Sequence, residues 1–299
     1  RRIVKVYRLR KSSNIKKSGW KLLGQEIVGD ESLYKYNFGS SLALSLKGDI
    51  LLVGADYGGF NRTGALERFE LREDSWVSVG TGIDGQFHND QIGRHPLEIS
   101  KDSSRILVGG GRNGFASVYD WDKEEKDWSL VKRFTFDCIG WLDCVCNRSC
   151  TEDDPQDDST DPQYGQEKVF LSNDGNIVAI GEHDYDPNRE EGSEGAFHGA
   201  IHFFEWKTNK FVEFARTLVG QKGAEFGWAF GMSDDGTRLV TGNYKKDEVY
   251  HYKKVGKRFV RFETITTGGF YDMYLSRDGT KLTVTSTVFD HQVNTYTLK

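Results

Sequence analysis

The sequence is poor in proline and has no long apolar run. Only 4 of its 299 residues are proline, while 34 are glycine and 13% are aromatic. This composition excludes a disordered chain and favours a folded, turn-rich protein. No stretch approaches the roughly 18 consecutive apolar residues that a membrane-spanning helix needs, so we expect no membrane span.

A concentrated positive charge is missing as well. The chain has 40 Lys and Arg residues against 45 Asp and Glu residues, and both signs are interspersed along it. Proteins that bind nucleic acids normally carry a concentrated basic surface. We therefore expect no nucleic-acid partner.

The sequence also lacks the common catalytic motifs. It contains no Gly-x-Ser-x-Gly elbow, no phosphate-binding glycine loop that opens a helix, and no His-Glu-x-x-His. His198 and His202 are four residues apart on or near one strand and could share a face. Without a third ligand in register, packed histidines are commoner than a metal site. These absences favour a protein that is not an enzyme.

What the sequence does contain is a short block that occurs five times. In each copy apolar residues lead into a serine, a polar turn and a second apolar run. The serines are Ser45, Ser100, Ser172, Ser233 and Ser276. Six residues after the fourth position of the turn come Gly54, Gly109, Gly181, Gly242 and, in the last copy, Thr285. A polar turn between two alternating apolar runs predicts a β-hairpin.

A second block between these hairpins contains two more strands. An aromatic residue opens its last strand in every copy, namely Trp20, Trp76, Trp128, Phe211 and Phe259. We interpret these aromatics as core between neighbouring sheets. A four-stranded sheet with two apolar faces can bury both only by stacking against other sheets around an axis. The sequence therefore predicts an all-β fold, a β-propeller of four-stranded antiparallel blades in one domain over residues 1–299.

The number of blades depends on how the two ends of the chain are used. The chain opens with the last two strands of a unit and ends with the first three strands of another. If the Trp20 strand completes the C-terminal sheet, five blades form. We expect five or six blades, or seven if the chain is part of a longer protein.

Several segments carry a family resemblance. They are Phe38-Gly39, Val53-Gly54-Ala55-Asp56 and Gly64-Ala65-Leu66 in the first unit, with Gly199-Ala200 and Phe226-Gly227 repeating the pattern. They resemble the FG-GAP-like repeat of integrin α-chain heads and of bacterial and algal surface proteins. The resemblance implies a β-propeller, and integrin-like units place calcium in one of its loops.

Residues 137–163 are predicted to form an acidic, cysteine-rich loop inserted in the propeller. The cysteines are Cys138, Cys144, Cys146 and Cys150. Their spacing is not that of a zinc site, so we expect local disulfides, with free thiols as the alternative. Disulfides would imply an oxidising compartment. Two N-glycosylation sequons, at Asn61 and Asn147, agree with a secreted or cell-surface location.

One loop has the alternation of oxygen ligands that calcium prefers. Asp184, Asp186, Asn188 and Glu190 stand at every second position. Arg189 occupies the place where calcium loops of the integrin type have glycine. The loop is therefore either a calcium site or, more commonly for such patterns, a solvated acidic loop.

These features together predict a non-enzymatic, secreted or cell-surface propeller that binds a protein partner or joins an extracellular assembly. Exposed loops on a rigid scaffold are where such binding normally occurs. A glycan-binding propeller is one alternative, in which Trp141 of the insertion would contact the ligand. A propeller hydrolase with carboxylates around the central channel is another, since such residues would be distant in sequence. We expect no cofactor apart from calcium.

Overall fold

A computed structural model of the protein describes residues 2–10, 19–29, 35–58, 63–86, 90–94, 97–110, 115–135, 168–187, 197–267, 269–285 and 293–299. Within these ranges the backbone forms antiparallel sheets and one short 3-10 turn, Tyr244–Lys246. None of the described residues forms a helix that is long and apolar enough to cross a membrane. The all-β prediction is confirmed.

The sheets follow one another along the chain. An N-terminal hairpin comes first, in which β1 (Ile3–Val4) pairs with β4 (Ile27–Val28) and β2 (Tyr7–Arg10) pairs with β3 (Gly19–Leu22). Blade I contains β5 (Lys35–Leu44), β6 (Ile50–Gly58), β7 (Ala65–Arg72) and β8 (Ser75–Ser78), with β9 (Ile83–Asp84) also paired to β7. Blade II contains β10 (Leu97–Ile99), β11 (Arg105–Gly109), β12 (Phe115–Asp122) and β13 (Asp127–Thr135).

Three more blades complete the described fold. Blade III contains β14 (Val169–Leu171), β15 (Ile177–Glu182), β16 (Ala200–Lys207) and β17 (Lys210–Glu213), with β18 (Leu218–Val219) also paired to β16. Blade IV contains β19 (Phe230–Met232), β20 (Arg238–Asn243), β21 (Glu248–Val255) and β22 (Arg258–Thr266). Blade V contains β23 (Asp272–Leu275), β24 (Lys281–Thr285) and β25 (Val293–Thr297). The fold is a five-bladed β-propeller, as the repeat predicted.

The five serine turns share one hydrogen-bonding scheme. The serine N–H donates to the carbonyl five residues later, and the N–H three residues later donates to the serine carbonyl. Each serine hydroxyl also lies 2.5–2.8 Å from a carboxylate of its own turn, in the pairs Ser45–Asp49, Ser100–Asp102, Ser172–Asp174, Ser233–Asp235 and Ser276–Asp278. The Ser276 hydroxyl and the Thr280 N–H lower the pKa of Asp278 to about 2. The turns therefore favour ionised aspartate.

Two of the recurrent glycines, Gly54 and Gly181, mark a close approach of backbones. A Cβ atom on Gly54 would collide with the backbone of Gly93 at the entrance to blade II, and one on Gly181 would collide with Gly227 at the entrance to blade IV. Gly93 and Gly227 have φ of +83° and +95°, which favours glycine. At these two positions the recurrent glycine lets one blade lie directly against the next.

Successive sheets are separated by clusters of buried apolar side chains. Each cluster combines residues of two neighbouring sheets, as where Phe203 of blade III meets Phe259 of blade IV at 4.5 Å between ring centroids. Arginine adds to two of these interfaces. The Arg68 guanidinium lies 4.0 Å from the ring of Trp121 in the next blade, and Arg105 lies 4.4 Å from Trp206. Both contacts tie one blade to its successor.

The prediction that Trp20 belongs to this core is wrong. Its repeat equivalent Trp76 is 4% exposed and donates its indole N–H to the carbonyl of Leu23 at 2.9 Å. Trp20 is 68% exposed, because the hairpin has its other face against blade I and no preceding sheet covers it within the described residues. The Trp20 strand also pairs with β2 and does not complete blade V.

Trp20 and Trp76 form a matched pair for a stability test. We expect Trp76→Ala to lower the free energy of unfolding by about 3–5 kcal/mol, because it removes a buried indole. Trp20→Ala should cost less than about 1 kcal/mol, since only a cross-strand contact on an exposed face is lost. Urea unfolding of both variants measures the difference, and equal losses would contradict the assignment of these two faces.

A histidine is buried between blades IV and V without a hydrogen-bonding partner. His251 is 0% exposed, and neither of its ring nitrogens makes a hydrogen bond. Burial lowers the pKa of His251, and the positive charges of Arg238 and Lys253 lower it further. The nearest carboxylate, Glu263, opposes this from 3.8 Å. His251 is therefore neutral in the folded protein at neutral pH.

This burial makes stability depend on pH. Because the folded pKa of His251 lies below the unfolded value of about 6.5, its contribution is complete above that pH and is lost as the pH falls. The loss for one group cannot exceed about 1.4 kcal/mol per pH unit. We expect His251→Leu to flatten the decline in the free energy of unfolding between pH 7 and pH 5, measured in urea. An unchanged slope would refute the assignment.

Candidate active site in the central channel

The first strand of each blade lies nearest the propeller axis. Contacts join β5 to β10, β10 to β14, and β19 to β23, so these strands gather around one channel. Charged side chains on these strands and in the turns beside them meet across the channel. They are Glu98, Lys168, Asp234, Asp272 and Arg277.

Arg277 joins four blades. It follows β23 of blade V, and its Nη2 lies 3.0 Å from Oε2 of Glu98 in blade II. Its Nη1 donates to the carbonyl of Leu171 in blade III at 2.6 Å and lies 3.3 Å from Asp234 of blade IV. The guanidinium also lies 5.1 Å from the ring of Phe170. One cation therefore gathers side chains that are up to 179 positions apart in sequence.

A second ion pair lies on the same strands. Nζ of Lys168, just before β14, is 3.0 and 3.2 Å from the two carboxylate oxygens of Asp272 at the start of β23. The same ammonium lies 4.7 Å from the ring of Tyr274. Lys168 is 15% exposed and Asp272 is 25% exposed, whereas Tyr274 is 56% exposed. Tyr274 is thus the part of this cluster that a ligand can reach most easily.

The turns below these strands form a hydrogen-bonded chain around the axis. The residues that it joins occupy the position after the recurrent serine in blades II to V. The Lys101 N–H donates to the Asn173 carbonyl, the Asn173 N–H donates to the Asp234 carboxylate, and the Asp234 N–H donates to the Arg277 carbonyl. These hydrogen bonds hold the backbone of Arg277 in place.

Two groups in the channel have shifted pKa values. Burial raises the pKa of Glu98, and the nearby cations Arg277 and Lys168 only partly offset this. Burial and a hydrogen bond to Asp272 raise the pKa of Tyr274 to about 12. Glu98 is therefore a better proton acceptor than an ordinary surface carboxylate, and Tyr274 keeps its proton at neutral pH. Such perturbed pairs are typical of functional sites.

A second cluster of ionisable groups lies on blade III. Nε2 of His202 is 2.9 Å from Glu182, and its Nδ1 is 3.2 Å from the hydroxyl of Thr217. Nδ1 of His198 lies 3.3 Å from Asp186. The two histidines that the sequence placed near one strand are thus paired with different carboxylates. Among the described residues no group of three or more His, Cys, Asp or Glu side chains could hold a metal ion.

Most of the sites predicted from sequence fall on residues that the structure does not describe. The cysteines Cys138, Cys144, Cys146 and Cys150, the sequons at Asn61 and Asn147, and Trp141 lie outside the described ranges. So do Asn188 and Glu190 of the calcium loop, whereas Asp184 and Asp186 are described and Asp186 pairs with His198. Disulfides, glycosylation, calcium and secretion stay predictions.

The channel residues were missed because they are spread along the chain. One signal could have found some of them. When the five serine turns are aligned, the position after serine reads Leu46, Lys101, Asn173, Asp234 and Arg277. Four of these five residues are charged or carry an amide, although the neighbouring turn positions vary little. Because polar residues recur at this one position of the repeat, they indicate that its copies in different blades lie close together around the axis.

Comparison with known proteins finds similar solved structures only. Neither a protein-family model nor a curated protein sequence matches the chain. Solved structures do match. A protein from Bacteroides fragilis, provisionally named as a 6-phosphogluconolactonase, is 14% identical with a TM-score of 0.61, and the alignment covers 99% of this chain and 73% of that one.

Two further structures agree. The periplasmic gluconolactonase of Pseudomonas aeruginosa is 14% identical with a TM-score of 0.62, covering 99% of this chain and 75% of that one. A protein from Bacteroides uniformis, also provisionally named as a 6-phosphogluconolactonase, is 12% identical with a TM-score of 0.62, covering 99% and 74%. At this identity the similarity shows the fold alone.

These similarities correct two predictions from the sequence. The three structures above are named as lactonases and not as integrin-type repeats, so they support a propeller without supporting the FG-GAP family in particular. The prediction of a non-enzymatic scaffold is contradicted, because propellers of this shape carry the names of hydrolases. The absence of local catalytic motifs could not exclude an enzyme, because the residues of a channel site would be distant in sequence. The chain therefore has a β-propeller fold, similar to that of these three structures.

Proposed function

We propose that the protein is a hydrolase that opens a cyclic ester of a sugar acid in its central channel. The observation that carries the proposal is Glu98, a carboxylate of raised pKa that lies 3.0 Å from the Arg277 guanidinium on the propeller axis. The names of the similar propellers, gluconolactonase and 6-phosphogluconolactonase, supply the substrate class.

Each channel residue has a role in this proposal. Glu98 removes a proton from a water molecule, and the resulting hydroxide attacks the lactone carbonyl carbon. Negative charge then develops on the carbonyl oxygen, where the positive charges of Lys168 and Arg277 stabilise it. The ring carbon–oxygen bond breaks, and the leaving oxygen takes the proton back from Glu98. The product is an open-chain hydroxy acid.

Tyr274 and the cations also account for substrate binding. Tyr274 exposes its ring at the channel and keeps its phenol proton, so it can stack against a sugar face or donate a hydrogen bond. Lys168 and Arg277 favour a substrate that carries a carboxylate or phosphate. An acidic sugar lactone satisfies both requirements.

Glu98→Gln tests the proposed base. It removes the proton acceptor but keeps the shape and the hydrogen-bonding capacity of the side chain. We expect kcat for glucono-δ-lactone and for its 6-phosphate to fall by about 100-fold or more, measured as acid release above the spontaneous rate. Glu205→Gln is the control, because Glu205 pairs with Lys207 on the outer part of blade III. An active Glu98→Gln protein would refute the proposal.

The pH profile of kcat/KM gives a second test. Activity needs ionised Glu98, so it should fall as the pH drops through a pKa above the usual carboxyl value of about 4.3. Arg277 lowers that pKa by stabilising the carboxylate. We therefore expect Arg277→Gln to move the acidic limb of the profile to higher pH while also lowering kcat. A limb that stays in place or moves to lower pH would contradict the role of Glu98.

A further inference from the structure

Blade III carries an arrangement that the channel chemistry does not use. Glu182 and His202 are buried, with 11% and 16% of their side chains exposed, and lie 2.9 Å apart. On the other side of the imidazole, the Thr217 hydroxyl lies 3.2 Å from Nδ1. A hydroxyl, an imidazole and a carboxylate therefore stand in one hydrogen-bonded line.

The direction of these hydrogen bonds follows from the groups involved. An ionised carboxylate can only accept, so Glu182 accepts a hydrogen bond from the tautomer of His202 that carries its hydrogen on Nε2. In that tautomer Nδ1 accepts a hydrogen bond from the Thr217 hydroxyl. This is the relation of an orienting carboxylate, a base and a nucleophile, which is recognised by geometry and not by sequence order.

The backbone fixes all three residues. Glu182 ends β15, and His202 lies in β16, where it pairs with Ile180. Thr217 directly precedes β18, whose Leu218 pairs with Ile201 beside His202. Two of the three side chains thus come from neighbouring strands of one sheet, and the third is next to a residue that pairs with the same sheet.

A groove lies further along β16 and shares with this arrangement only the strand that carries His202 and Phe204. Its volume is about 310 Å³, and it is lined by Lys132, Arg133, Phe134, Thr135, Phe204, Phe211 and Glu213. Phe204 is two residues from His202 on β16 and therefore lies on the same face of that strand. Thr217 itself is only partly buried. A small ester with an aromatic or aliphatic group could place that group against Phe204 and its carbonyl near Thr217.

We propose that Thr217, His202 and Glu182 form a second reactive centre that accepts an acyl group from small esters. Oγ of Thr217 attacks the ester carbonyl carbon while its proton passes to Nδ1 of His202. The bond to the alcohol oxygen breaks, and His202 returns the proton to the leaving alkoxide. Water, deprotonated by His202, then releases the acid and restores the threonine hydroxyl.

Acetylation by p-nitrophenyl acetate tests this centre in the whole protein. We expect a burst of one p-nitrophenolate per chain and an acetyl group on the peptide that contains Thr217, detected by mass spectrometry. Thr217→Val, which keeps the shape and removes the hydroxyl, should abolish both signals. His202→Gln should slow acetylation by about 100-fold or more, and Thr217→Ser should retain it.

The controls separate this centre from the channel and from loss of folding. Thr295→Val removes an exposed hydroxyl of blade V and should leave the burst unchanged. Glu98→Gln should also keep the burst, while Thr217→Val should keep lactone hydrolysis, so the two sites fail independently. Urea unfolding confirms that each variant is folded. Acetylation at other residues only, or a burst that survives in folded Thr217→Val, would overturn the proposal.

Discussion

A β-sheet with two apolar faces cannot satisfy both by itself, and this constraint shapes the whole molecule. Among the described residues, blades I to IV each bury one face against the preceding sheet and the other against the next, in clusters that contain side chains from both sheets. Glycines allow the backbones to approach closely enough, as at Gly54 and Gly93. Arg68 and Arg105 add cation–π contacts across the same interfaces. Burial of each large apolar side chain contributes roughly 1.5–3 kcal/mol, so the stack is held mainly by these interfaces.

Stacking the sheets around an axis brings charged side chains of different blades close together. The first strands of the blades bring charged residues together near the axis, where they pair with one another and contact nearby rings and carbonyl groups. Glu98 and Arg277, Lys168 and Asp272 pair across blades that are not consecutive. The partial burial that raises the pKa of Glu98 therefore follows from its place at the axis. The fold itself creates the basic carboxylate on which the proposed hydrolysis depends.

The features that recur from blade to blade were predictable from sequence. The contacts that form only when the blades surround an axis were not. Each serine turn forms locally, and the glycine after each of the first four turns lies at a constant distance from its serine. Both features are therefore visible in the sequence. Trp20 has the same sequence environment as Trp76, yet it is exposed, because burial depends on a sheet that lies before it. Glu98 and Arg277 are brought together only when the blades surround an axis, so no motif marks them. No local motif could therefore indicate the cluster on which the proposed function rests.

The serine turns also bear on how the molecule folds. Every hydrogen bond that closes such a turn joins residues at most five positions apart, as from Ser276 to Lys281. Contacts of such low sequence separation form with little loss of chain entropy and ahead of pairings between distant segments. Five separate hairpins can thus form early along one chain, and the propeller can assemble by adding blades to whichever hairpin has formed first.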